Sequence, residues 1–116
     1  MTTTGSTLKP LAFRVLLLLG DGARHGWSLV KELQEDAGDG ERILPGSLYR
    51  TMGEMEDAGL IEEAHEPPDA ADDSRRKYFR LTEPGVRAAR EEADRLAELL
   101  QTARSKTVFY PDGATA

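Results

Sequence analysis

The chain contains no cysteine, which excludes disulfide staples, thiolate-held zinc and a thiol nucleophile, and points to an intracellular address. It also lacks a long apolar run. LAFRVLLLL at 11–19 is shorter than the roughly 20 residues that span a bilayer, and it carries Arg14. No small-residue cleavage pattern follows it, and Lys9 is the only basic residue before it, so it does not read as a secretory signal. A soluble, cytoplasmic protein is the expectation. Histidine is scarce as well: His25 and His65 are the only two. The stretch Glu62-Glu63-x-His65-Glu66 is the one local group resembling metal ligands, but on a strand its members alternate faces, which argues against a metal site. No Gly-x-Ser-x-Gly elbow and no glycine-rich phosphate loop after a strand is present. The sequence therefore offers no specific support for an enzyme and implies no cofactor.

What is present is one small domain, or one domain plus an arm, in 116 residues with a formal net charge of −6. A chain of this size buries a modest core, so a partner subunit would help it. An acidic balance at first disfavours nucleic acid. The distribution of charge matters more than the sum: acids crowd 54–73, while Arg75, Arg76, Lys77 and Arg80 form a segment without acid. Arg50 stands alone in PGSLYRTMGEMEDAGL at 45–60, whose first turns carry little other charge.

Hydrophobic periodicity organises the chain. Residues 1–7 and 106–116 read as flexible tails. Leu8, Leu11, Ala12, Val15, Leu16 and Leu19 follow helical spacing from Pro10, and Phe13, Leu17 and Leu18 widen the stripe. A second helix is expected from about His25 to Ala37, with Trp27, Val30, Leu33 and Ala37 inward. A third opens at Pro45 with Leu48, Met52 and Met55 on one face, and Gly59-Leu60 has the form of a Schellman stop. The period then changes to two short β-like runs, 60–65 and 77–81, joined by a loop rich in Pro, Asp and Ser. Three helices followed by a hairpin is the order of a winged helix-turn-helix, in which the third helix enters the DNA major groove.

From Thr82, a plausible N-cap, a last helix runs to about Ser105. Val86, Ala89, Ala93, Leu96, Leu100 and Ala103 recur at heptad spacing, which predicts helix pairing within a dimer. Pairs at i, i+4 (Arg87 with Glu91, Arg90 with Asp94, Glu91 with Arg95) are expected on its outer faces. The fold class is mainly α with a small β-hairpin: a winged helix-turn-helix over 8–82 and a C-terminal dimerisation helix over 83–105.

Three blocks carry a family resemblance: His25-Gly26-Trp27, Pro45-Gly46-Ser47-Leu48-Tyr49-Arg50 through Glu56-x-x-Gly59-Leu60-Ile61, and Arg75-Arg76-Lys77-Tyr78-Phe79-Arg80-Leu81-Thr82-x-x-Gly85. Over about residues 8–104 the sequence resembles the PadR family of bacterial transcriptional regulators, in particular its small members with a single C-terminal helix. The resemblance implies a dimeric winged-helix repressor, often released from its operator by a small effector or a stress signal. The family usually has tyrosine where Trp27 stands. The hairpin tip, with Asp69, Asp72 and Asp73, also departs from what phosphate would favour.

On this reading Ser47, Tyr49 and Arg50 face DNA from the third helix, and Arg75, Arg76 and Lys77 do so from the base of the wing. The duller alternatives are that Tyr49 closes the core, that Arg50 is solvated and that the basic run is a solvated strand end. Leu11 and Val15 join the last-helix residues as expected dimer contacts. Trp27 is expected in the core, with an effector pocket as its other role, and Phe109 and Tyr110 are expected to dock weakly on the partner subunit. The expected partners are double-stranded DNA, a second copy of the chain and a small-molecule effector. The rival reading is a winged-helix interaction module that binds another regulator.

Overall fold

The computed structural model describes residues 8–40, 42–64 and 77–111. In chain order these form α1 (Pro10–Leu19), β1 (Arg24–His25), α2 (Gly26–Ala37), a 3-10 turn (Gly38–Gly40), α3 (Pro45–Asp57), β2 (Ile61–Ala64), β3 (Tyr78–Leu81) and α4 (Glu83–Arg104). The sheet is antiparallel with order β1-β3-β2, and its register places Arg24 opposite Phe79 and Glu62 opposite Arg80. The small sheet beside four helices matches the winged helix-turn-helix expectation. β1 is an addition to it, pairing the entry to α2 with the second strand of the wing.

Each helix ends for a local reason. Proline occupies the first turn of α1, α3 and α4, where its missing N–H would have had no partner. α3 stops at Gly59, whose φ of 78° suits glycine. There Leu60 N–H donates to Met55 O (2.9 Å) and Gly59 N–H to Glu56 O (3.0 Å), the two bonds of a Schellman motif. Between α2 and α3, the Gln34 side chain accepts from the Ile43 N–H at 2.8 Å and so fixes the approach to α3.

The core lies where α1, α2, α3 and the sheet meet. Val15, Leu16, Leu29, Leu33, Leu48, Met52 and Ile61 are its most enclosed members. Two sequence expectations change here. Val15 is fully enclosed in the core of one chain and offers no surface to a partner, while Leu11 is half-buried beside it. Trp27, expected inward, is 53% exposed. The inward stripe of α2 begins instead at Gly26 and continues through Leu29, Val30 and Leu33.

α4 is fastened at its start. Thr82 N–H donates to Leu60 O (3.1 Å), its hydroxyl donates to Gly59 O (2.5 Å), and the same hydroxyl accepts from Gly85 N–H (3.1 Å). A β-carbon on Gly85 would drive into the Leu60 carbonyl, so only glycine lets α4 lie this close to the end of α3. Two turns further along, the largely buried Glu92 accepts from two nitrogens of Arg95 (3.1 and 2.5 Å). This i, i+3 pair is what Arg95 forms, in place of the expected pairing with Glu91. The Arg95 hydrogen bond holds the Glu92 carboxyl below the usual carboxylate range. Burial opposes that shift, and the charge of Arg95 and the Leu8 backbone N–H add to it. Arg95 is raised correspondingly, first by the same hydrogen bond.

Along its outer side α4 carries an uncovered apolar stripe. Val86, Leu96, Leu99 and Leu100 are all exposed large apolar side chains, and Val108 and Phe109 follow in the turn after it. Leu99 widens the stripe beyond the heptad positions, with Ala93 exposed and Ala89 and Ala103 half-buried along it. No described helix is long and apolar enough to cross a membrane.

Candidate nucleic-acid interface

α3 divides into three faces at roughly 3.6 residues per turn. Leu48, Thr51, Met52 and Met55 are buried, and their burial fixes the rotation of the helix. Directly opposite lie Gly46, Arg50, Gly53 and Asp57. Arg50 is exposed, and there is open space around Gly46 and Gly53, one turn to either side. Its guanidinium therefore stands on nearly bare helix backbone, with room for a surface to approach closely.

The other two expected contacts flank this face on opposite sides. Ser47 borders a hollow of about 170 Å³ shared with Leu11, Arg14 and Arg42. Tyr49 turns toward α2, where its Cε1 lies 2.7 Å from the place of a β-carbon on Gly26. Ser47, Tyr49 and Arg50 thus do not converge on one spot. Each meets a different neighbour, and Arg50 alone points straight out. Neither Arg14, thirty-three residues before Ser47, nor Arg42, just ahead of α3, belongs to a charge run, so the sequence gives no sign that they meet. Only the packing of α1 and the turn before α3 places them beside Ser47.

A second concavity, about 350 Å³, separates α2, α3 and the sheet and is lined by His25, Trp27, Tyr49, Glu56, Lys77 and Phe79 among others. Its back wall is ordered. His25 caps α2 by accepting from Ser28 N–H (3.2 Å), and its ring meets that of Tyr78 edge-on with centroids 5.4 Å apart.

At the base of the wing the described cations already have partners. Lys77 lies 3.4 Å from Glu63, and Arg80 donates to Glu62 at 2.8 Å, pairs set by the β2–β3 register. Both pairs are exposed, and such pairs contribute little, about 0–1 kcal/mol. Arg75, Arg76 and the acidic tip at Asp69, Asp72 and Asp73 lie outside the described residues, as does His65. Among the described residues no group of three or more histidine, aspartate or glutamate side chains is placed to hold a metal.

Helix, turn, helix with Arg50 outward, a paired hairpin and a long final helix form a winged helix-turn-helix, and the PadR-like transcriptional regulator family model matches residues 15–91. The chain belongs to the PadR-like family. This PadR-like fold recurs in solved structures. A transcriptional regulator from Clostridium thermocellum is 20% identical over 79% of this chain and 84% of that one, with a TM-score of 0.68. RosR of H. salinarum is 27% identical over 85% and 80% of the two chains, with a TM-score of 0.61. The adhesin competence repressor from Streptococcus pyogenes is 20% identical over 82% and 62%, with a TM-score of 0.60. No curated protein matches the chain. This PadR-like protein is thus a member of a transcriptional regulator family, and the described residues of its three blocks fall on β1 and the start of α2, on α3 through the start of β2, and on β3 and the first turn of α4.

Proposed function

We propose that the chain is a cytoplasmic, homodimeric repressor that binds a pseudo-palindromic DNA operator through α3, with no catalytic role. The observation that carries this reading is Arg50, exposed at the centre of the outward face of α3 with open glycine positions on both sides. A guanidinium presented this way matches the O6 and N7 acceptors of guanine in the major groove or a phosphate beside it. Ser47 and Arg42 on one flank supply donors for backbone phosphates. Arg75, Arg76 and Lys77 extend the contact through the wing base. Pairing of two α4 helices through Val86, Leu96 and Leu100 sets two α3 helices about 34 Å apart, one turn of DNA. A small effector that alters this spacing releases the operator.

The test is selection of duplexes from a random library by the purified protein, then salt titration of the best site with wild type and Arg50→Ala. An enriched inverted repeat, with affinity lowered about 5- to 150-fold in the variant, is the expected result. A drop of about one in the salt slope identifies Arg50 as a phosphate contact, and an unchanged slope with relaxed specificity identifies a base contact. The second reading, a module that binds another regulator, is favoured by the net charge of −6 and by the neutralised Lys77 and Arg80. Failure to enrich any duplex at low salt supports it.

A further inference from the structure

Trp27 is the only tryptophan of the chain, and it is 53% exposed on the first turn of α2. Burial of a large ring is favourable, so a tryptophan left half in solvent beside a concavity of mixed polar and apolar lining suits a surface that is covered in use. The concavity joins Trp27 to Tyr49 of α3 and to Lys77 at the base of the wing. We infer that Trp27 forms a second contact with the DNA backbone, lying on one lip of this cleft while the strand beside the α3 groove crosses its mouth. The inference rests on the DNA-binding reading of α3.

The chemistry suits a sugar–phosphate strand better than a bare phosphate. The indole face packs on deoxyribose, and Nε1–H, a donor without acceptor capacity, reaches a phosphate oxygen. Tyr49 offers a phenol on the neighbouring wall. The cleft also contains two charges of opposite sign. Lys77 is shared with Glu63, and Glu56 carries a carboxylate on α3 two turns beyond Tyr49. That carboxylate repels phosphate, so the strand passes over the cleft and does not sink into it. The aromatic lip becomes the point of contact, and removing the Glu56 charge should tighten binding.

Because one tryptophan is present, its emission reports this position alone. The full chain is titrated with the duplex recovered by selection, and acrylamide quenching is measured before and after saturation. Quenching should fall about twofold or more as DNA covers the ring. Trp27→Ala should weaken binding about tenfold, and Trp27→Phe, which keeps a ring but loses the donor, by less. Neither should change the salt slope, since no charge is removed. Glu56→Gln should raise affinity several-fold, about 2- to 5-fold, through the lost repulsion. Unchanged quenching at saturation overturns the inference, as does wild-type affinity in a folded Trp27→Ala protein. If Arg50→Ala weakens binding while Trp27→Ala does not, only this contact is wrong. If the wild type selects no duplex, both readings fall. Quenching protection by a small aromatic molecule and not by the duplex would also overturn it, marking the cleft as a ligand pocket.

Discussion

The ring of Tyr49 occupies the space that a β-carbon on Gly26 would need, with Cε1 at 2.7 Å and the hydroxyl at 3.1 Å from that point. Gly26 has no unusual φ, so its smallness serves this contact between the two helices of the helix-turn-helix. In an open helix Gly→Ala stabilises by roughly 0.5–1 kcal/mol. Here the sign reverses: Gly26→Ala is expected to destabilise by about 1–3 kcal/mol, because the ring must move. Urea unfolding of Gly26→Ala, Tyr49→Ala and the double variant checks it. The double variant should be more stable than the sum of the singles predicts, since removing the ring makes room for the methyl group.

Gly85→Ala is the stricter case, because the added carbon meets the Leu60 backbone carbonyl and not a side chain that can rotate away. Loss of the Thr82–Leu60 and Thr82–Gly59 hydrogen bonds should follow. A cost of roughly 2–4 kcal/mol in thermal or urea unfolding is expected. A variant with wild-type stability would show that α4 does not rest on that carbonyl.

The Glu92–Arg95 pair makes a prediction about pH. The folded-state pKa of Glu92 is lowered, chiefly by the Arg95 hydrogen bond, so the unfolded chain takes up this proton first on acidification. The stabilisation is complete above the ordinary glutamate range and is lost as pH falls through the lower folded value. Unfolding of wild type and Glu92→Gln should therefore differ most near pH 7 and converge toward pH 3. A difference that stays constant across that interval would exclude the pair as its source.

The exposed stripe of α4 predicts the assembly state. Leu96 and Leu100 are 39% and 45% exposed in the single chain, so charge at either position leaves its core untouched. Leu100→Lys is expected to shift light-scattering mass from dimer to monomer at micromolar concentration, with helical circular dichroism retained. DNA affinity should fall by tenfold or more, about the loss expected when two half-sites are no longer held together. A Leu100→Lys protein that remains dimeric would move the interface elsewhere.

How much of this was readable beforehand depended on whether a feature is local. The Gly59 stop, the Thr82 cap and the core face of α3 each follow from residues within one or two turns, and each is where the spacing predicts. β1 escaped notice because two residues, Arg24 and His25, have no period, and their pairing with β3 bridges more than fifty positions. Trp27 was misplaced for a related reason. It has inward spacing with Val30 and Leu33, but Gly26 takes the inward place because Tyr49 from another helix fills it. The burial of Glu92 was equally hidden, since in sequence it looks like one more acid on a solvated helix. As for the candidate site, Arg50 needed only helical geometry. The company of Arg14 near Ser47 required the tertiary packing of α1, and that of Arg42 the path of the turn into α3.

The Leu60 carbonyl, gripped by Thr82 and overlain by Gly85, has a mechanical meaning. It joins the end of α3 to the first turn of α4 with no spacer, so the two helices are expected to turn together as a bent crank. α4 is roughly 33 Å long at 1.5 Å per residue, and a tilt of about 5° at its far end corresponds to a displacement of roughly 3 Å. In the proposed dimer, a small change in how two α4 helices cross is therefore delivered at the recognition helices as a misfit of nearly one base-pair step. On the proposed reading, such a repressor would need no hinge inside its DNA-binding half, because a lever arm outside it would hold or drop the operator.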